Sequence, residues 1–139
     1  MISPPNQINE DINLILKKIL STISKSNVES IYLFGSIARG NITSKSDYDI
    51  AIIVKKYPKN DLSLISNIKC SLMDKVKRPL DIIILEPDDL KTSPQFLYEL
   101  YNNNKKLFGQ DTIKKFESIA KKSKPAKPVL KREPVWYYA

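Results

Sequence analysis

Three short apolar runs, Val28–Phe34, Ile50–Val54 and Leu80–Leu85, alternate along the chain with stretches in which apolar residues recur every three or four positions. Runs of that length, bounded by turn-forming residues, read as strands, and where they are continuously apolar both of their faces are covered. The intervening stripes are the amphipathic helices that do the covering. This alternation narrows the fold class to α/β, a small mixed β-sheet flanked by helices. Ile8, Ile12, Ile15, Ile19 and Ile23 mark a first helix from about Asn9 to Lys25, and Leu62, Ile65, Ile68, Leu72 and Val76 mark another from Asp61 to about Val76. Further helices are expected over Ile37–Gly40 (a first turn only), Pro94–Asn103 and Thr112–Lys122. Lys106–Phe108 is expected as a short edge strand ended by Gly109, and Glu86–Ser93 as a polar connection.

Two of these runs meet at a group of residues with chemical content. The first ends in Gly35-Ser36, and ten residues later Asp47 and Asp49 flank Tyr48 at the start of the second. Side chains alternate along a strand, so the two carboxylates project from one face while Tyr48 points to the other as a packing residue. Carboxylates so placed repel each other unless a cation lies between them, and oxygen ligands select Mg²⁺ or Mn²⁺. Asp81 occupies the matching place at the start of the third run, where an isolated buried acid is costly; beside the other two it completes a three-carboxylate site. Gly35 permits close backbone approach to a ligand, the Ser36 hydroxyl and neighbouring amides suit a phosphate, and Arg39 lies one helical turn further on. Phosphate donors and metal carboxylates in one crevice describe phosphoryl or nucleotidyl transfer.

Composition removes the competing chemistries. With no His among 139 residues, hydrolases with a His base and His-ligated zinc sites are excluded, and Cys70, the single cysteine, rules out a disulfide framework and reads as inert. The formal charge of +8 favours acidic partners, but residues 121–139 hold six basic side chains against one acid, which leaves the first 120 residues at +3. That segment also carries Pro125, Pro128 and Pro134 and closes on Val135, Trp136, Tyr137 and Tyr138. It reads as a basic tail for docking on a partner, with weak RNA contact through its lysines. No run approaches the roughly 20 apolar residues of a membrane span, and Met1–Pro5 lacks the features of a signal peptide, so a soluble cytoplasmic protein is expected.

Leu33–Gly40, Ser46–Ala51 and Leu80–Ile83 resemble the motifs of the minimal nucleotidyltransferases (MNT) of the DNA polymerase β-like superfamily, and Phe96–Phe108 is similar to that family's closing helix and short strand. The resemblance spans roughly Ile8 to Gln110. It implies a polymerase β-like fold over a domain of residues 1–120, with 121–139 as the tail. It also implies transfer of a nucleoside monophosphate from an NTP to an acceptor. On this resemblance Asp47 and Asp49 coordinate two Mg²⁺ ions, with Mn²⁺ as a substitute. Asp81 binds one of them and helps activate the acceptor hydroxyl, while Gly35 and Ser36 hold the phosphates.

Many relatives of this size are antitoxins that adenylylate a tyrosine of a HEPN-domain RNase toxin; others modify antibiotics or tRNA. The resulting expectation is an adenylyltransferase that uses ATP, forms an oligomer with a HEPN toxin and borrows acceptor recognition from it. Transfer to a small molecule or RNA end is the first alternative. A catalytically idle module that neutralises its partner by contact is the second.

Overall fold

The computed structural model describes residues 5–122. The tail read as a docking and RNA-contacting segment lies, from residue 123 onward, outside the described residues. Helix α1 (Pro5–Thr22) leads through a 3₁₀ turn (Lys25–Asn27) into strand β1 (Val28–Phe34) and the short helix α2 (Gly35–Arg39). Strand β2 (Tyr48–Val54), helix α3 (Asp61–Leu72) and strand β3 (Leu80–Leu85) follow. Helices α4 (Asp89–Thr92) and α5 (Pro94–Asn102), strand β4 (Lys105–Gly109), a second 3₁₀ turn (Ile113–Phe116) and helix α6 (Glu117–Lys122) complete the order.

The four strands form one mixed sheet in the order β3-β2-β1-β4. β1 runs antiparallel to both β2 and β4, whereas β2 and β3 are parallel and are joined through α3. Alternation along the strands splits the core into two layers. Ile31, Leu33, Tyr48, Ile50, Ile52 and Ile82 pack against Ile12, Ile15 and Ile19 of α1 and Ile68 and Leu72 of α3. Tyr32, Phe34, Ala51, Ile53 and Leu85 face Leu90 of α4, Phe96, Leu97 and Leu100 of α5, and Phe116 and Ala120. Both faces are covered, as the continuous apolar runs require. No helix among the described residues is long and apolar enough to cross a membrane.

Several boundaries differ from the sequence expectation, each for a local reason. α1 begins at Pro5, whose fixed φ suits a first helical turn, and ends at Thr22, where Ser21 and Thr22 both donate their hydroxyls to the Lys18 carbonyl at 2.9 and 2.8 Å. α3 stops at Leu72 and only turns continue to Val76, because the chain must extend toward Pro79. The expected helix at Thr112 opens as a 3₁₀ turn pinned by Thr112 to Ser30 (2.8 Å) and Glu29 (2.6 Å), with the Ile113 N–H donating to Tyr32 Oη at 3.2 Å. The polar connection contains α4, which buries Leu90 and carries Asp89 in its first turn. Gly109 belongs to β4 itself.

Candidate active site

β1 and β2 are antiparallel and β2 and β3 parallel, so the end of β1 and the starts of β2 and β3 lie at the same end of the sheet. β1 terminates at Phe34, and Gly35 turns the chain into α2 with φ +81°, a conformation that glycine adopts without a steric penalty. Space imposes a second constraint at the same position: a Cβ on Gly35 would overlap the Asp49 carboxylate. The backbone of the Gly-Ser turn is therefore packed directly on one of the three sequence-predicted acids. Phe34, paired with Asp49 across the β1–β2 ladder, makes an edge-to-face contact with Phe96 of α5 at 5.3 Å and closes the floor of this corner.

The structure brings the acids to the same end of the sheet from adjacent strands. Asp49 and Asp81 are register partners across the parallel β2–β3 ladder, and both share a face with residues of the α5-side core layer. Asp47 immediately precedes β2. Burial, together with the charge of Asp81 and a hydrogen bond to it that only a protonated carboxyl can make, raises the Asp47 pKa above its ordinary value of 3.8; the Arg78 charge works weakly the other way. Among the described residues no three acidic side chains close around a common point. Asp47 and Asp81 are the pair that converges, and Asp49 stands against Gly35. An all-oxygen set with one carboxylate raised off its ordinary pKa by burial and by a second carboxylate fits a hard divalent cation, which would relieve the repulsion between the two.

Tyr48 points away from the acids, as alternation demands, and is fully buried. Its Oη donates to Asp11 Oδ2 at 2.7 Å. Burial first, then the Asp11 hydrogen bond, push its pKa far above the usual tyrosine value, which keeps it a donor. Asp11 and Arg78, both buried, are absent from the sequence reading. Asp11 was nonetheless detectable: it falls three residues after Ile8 and four before Ile15, so an acid sits within the buried stripe of α1. Arg78 Nη1 donates to the Thr43 carbonyl (2.7 Å) and the Ser46 carbonyl (3.0 Å), tying the approach to β3 to the loop just before Asp47. No spacing in the sequence announces that tie.

Arg39, expected to reach a bound phosphate, is engaged with Glu99 of α5 at 2.8 Å. Ser36 is half-buried at the start of α2. Lys69 of α3 approaches Asp81 to 3.9 Å at the mouth of an open groove of about 440 Å³ lined by Lys69, Leu72, Met73, Val76, Lys77, Arg78, Pro79, Leu80 and Asp81. One rim of the carboxylate corner thus opens to solvent beside Asp81.

Known proteins place this geometry. A crystal structure of a toxin–antitoxin with AMP-PNP matches at 25% identity and a TM-score of 0.54, over 80% of this chain and 82% of the other. The tri-AMPylated Shewanella oneidensis HEPN toxin in complex with MNT antitoxin shares the fold at 22% identity and a TM-score of 0.52, over 83% and 82% of the two chains. A Methanocaldococcus jannaschii protein named "Putative protein adenylyltransferase MJ0141" is 48% identical over 42 residues, 30% of this chain. The matched segment spans 42% of that relative's length. Residues 16–113, from the middle of α1 to the turn after β4, match the family described as polymerase beta, nucleotidyltransferase. That span contains the Gly35-Ser36 turn and all three acids, and the chain belongs to this nucleotidyltransferase family.

Proposed function

We propose that the protein is a Mg²⁺-dependent adenylyltransferase that moves AMP from ATP to a tyrosine hydroxyl of a HEPN-domain toxin in the cytoplasm, and so acts as the antitoxin of that pair. The observation that carries this reading is the packing of Gly35 on Asp49 at the sheet end where Asp47 meets Asp81. A turn suited to phosphate lying against the Asp49 carboxylate supports a reading in which both needs of nucleotidyl transfer are met in one corner. Likeness to a toxin–antitoxin with AMP-PNP, and to a complex with an AMPylated HEPN toxin, supports the donor and acceptor named here.

In this reading the Gly35-Ser36 turn binds the β- and γ-phosphates through backbone N–H groups and the Ser36 hydroxyl. Asp47, Asp49 and Asp81 would hold two Mg²⁺ ions, which would supply charge neutralisation at the phosphates and lower the pKa of the acceptor hydroxyl. Asp81, at the open groove, orients the acceptor oxygen and takes its proton. That oxygen bonds to the α-phosphorus while the bond to the bridging oxygen breaks, and pyrophosphate leaves from the Gly35 side. Lys69 and Lys77 give the groove a basic rim suited to an acidic acceptor surface.

The test is incubation with labelled ATP, GTP, CTP or UTP and Mg²⁺, with and without a HEPN-domain protein encoded beside this chain. AMP on a toxin tyrosine, abolished by Asp47→Asn with Asp49→Asn, is the expected result. Label confined to a small molecule or an RNA end would move the acceptor to the first alternative. No transfer under any condition, with toxin still neutralised, would leave a contact inhibitor.

A further inference from the structure

We propose that Asp11 is a positioning residue for the three carboxylates. From α1, behind the sheet, it fixes the strand starts that carry Asp47, Asp49 and Asp81. The inference rests on the reading of those acids as metal ligands. Asp11 is fully buried, on the sheet face opposite theirs. Its Oδ2 accepts the Tyr48 hydroxyl at 2.7 Å and the Lys77 backbone N–H at 3.0 Å, and its Oδ1 accepts Gln7 Nε2 at 3.1 Å. Tyr48 lies between Asp47 and Asp49, so holding its ring sets the rotation of the backbone from which both acids project. Lys77 stands four residues before Asp81, on the lead-in to β3.

One carboxylate thus anchors both segments, and two further ties close the loop between them. The Tyr48 N–H donates to the Pro79 carbonyl at 2.9 Å, and Arg78 Nη1 holds the Ser46 carbonyl at 3.0 Å. An isoleucine, the residue on either side of it along the stripe, would fill this point of α1 but leave the Tyr48 hydroxyl and the Lys77 N–H without their acceptor. An acid that spans two strand starts instead fixes a distance. Distance between ligands is what divalent-ion affinity depends on, and Asp11 acts on it through the backbone of the two strand starts.

Mn²⁺ titration of the full-length protein without nucleotide, read by electron paramagnetic resonance, tests the proposal. Tyr48→Phe and Asp11→Asn should each weaken Mn²⁺ binding by about tenfold. Tyr32→Phe is the control. Tyr32 is equally buried, on the other face of the neighbouring strand, with its hydroxyl bonded to Asp111 at 2.9 Å. It should lose comparable thermal stability and leave Mn²⁺ affinity unchanged. Tyr48→Phe removes a single oxygen and carries the test alone if Asp11→Asn does not fold. Unchanged affinity in Tyr48→Phe, with binding still abolished by Asp47→Asn, would overturn the role of Asp11 and leave the metal site standing. Equal weakening in Tyr32→Phe would reduce the effect to general destabilisation. Wild-type protein whose Mn²⁺ signal is indifferent to Asp47→Asn would overturn both readings.

Discussion

The central strand β1 is bounded by two glycine corners that look alike in the backbone and differ in what they hold. Gly35, after its last residue, and Gly109, paired with its third, have φ +81° and +85°, and neither has room for a Cβ. At Gly109 the obstacle is the Glu29 backbone carbonyl, and the side chains around it bond one another. Glu29 accepts from Thr112 at 2.6 Å and pairs with Lys115 at 3.5 Å, and Ser30 bonds Thr112 at 2.8 Å. At Gly35 the obstacle is a carboxylate, and beside it Asp47 and Asp81 crowd each other. One corner spends its polar groups on closing the fold; the other keeps like charges together, a strain that persists only where surrounding structure enforces it and that marks functional sites.

Alanine at each glycine is the sharpest way to break this contrast. Gly109→Ala must displace backbone, so a loss of about 2–4 kcal/mol is expected by chemical denaturation, with the folded fraction keeping its specific transfer activity. Gly35→Ala pushes a side chain instead. Its stability loss should be smaller, about 1–2 kcal/mol, while activity drops about a hundredfold as Asp49 is displaced from the turn proposed to bind phosphate. Equal activity losses in the two variants would show that the corners are functionally alike.

The crowding at Asp47 gives the next effect, with a defined sign. Its native pKa lies above the ordinary 3.8, so between the two values the folded state keeps a proton that the unfolded chain has released. Metal-free stability should therefore fall as pH rises through that window and stay reduced above it. Asp47→Asn removes this penalty: its melting temperature without metal should match or exceed that of wild type at neutral pH. The order should reverse in millimolar Mg²⁺, which stabilises only the protein that binds it. Thermal scans with and without Mg²⁺ at several pH values measure both halves. A variant less stable than wild type without metal would show that Asp47 is a structural acid like Glu29.

What the sequence disclosed follows the same division. The strand spans Val28–Phe34 and Leu80–Leu85 are visible in full because each ends in an unbroken apolar stretch, Ile31–Phe34 and Ile82–Leu85, closed by turn-forming residues. The three acids are visible for the opposite reason, Asp81 as a charge inside such a run and Asp47 and Asp49 as charges leading into one, and register places Asp49 beside Asp81. Asp11 interrupts a helical stripe in the same way, but one polar residue among five isoleucines is easily absorbed into the face. Arg78 has no comparable signature, since the bonds that tie it to the loop go to backbone carbonyls more than 30 residues away. Helix ends were least legible, being set by hydroxyl back-bonds at Ser21 and Thr22 and by tertiary pins at Thr112 that no local pattern encodes.

The smallest expected effect concerns the link between the functional corner and its covering helix. Arg39 and Glu99 are both roughly one-third exposed, so their 2.8 Å pair should contribute at most about 0.5–1 kcal/mol, and Glu99→Gln should barely move the melting temperature. Their consequence for nucleotide is larger than for stability. A guanidinium that gives Nη1 to Glu99 shares its charge between that carboxylate and any phosphate, which weakens its hold on the phosphate. Glu99→Gln frees Arg39 and should lower the KM for ATP by about threefold, whereas Arg39→Ala should raise it by about tenfold with kcat little changed. If both variants leave KM untouched, Arg39 is a strut between α2 and α5. The functional corner then ends at Ser36.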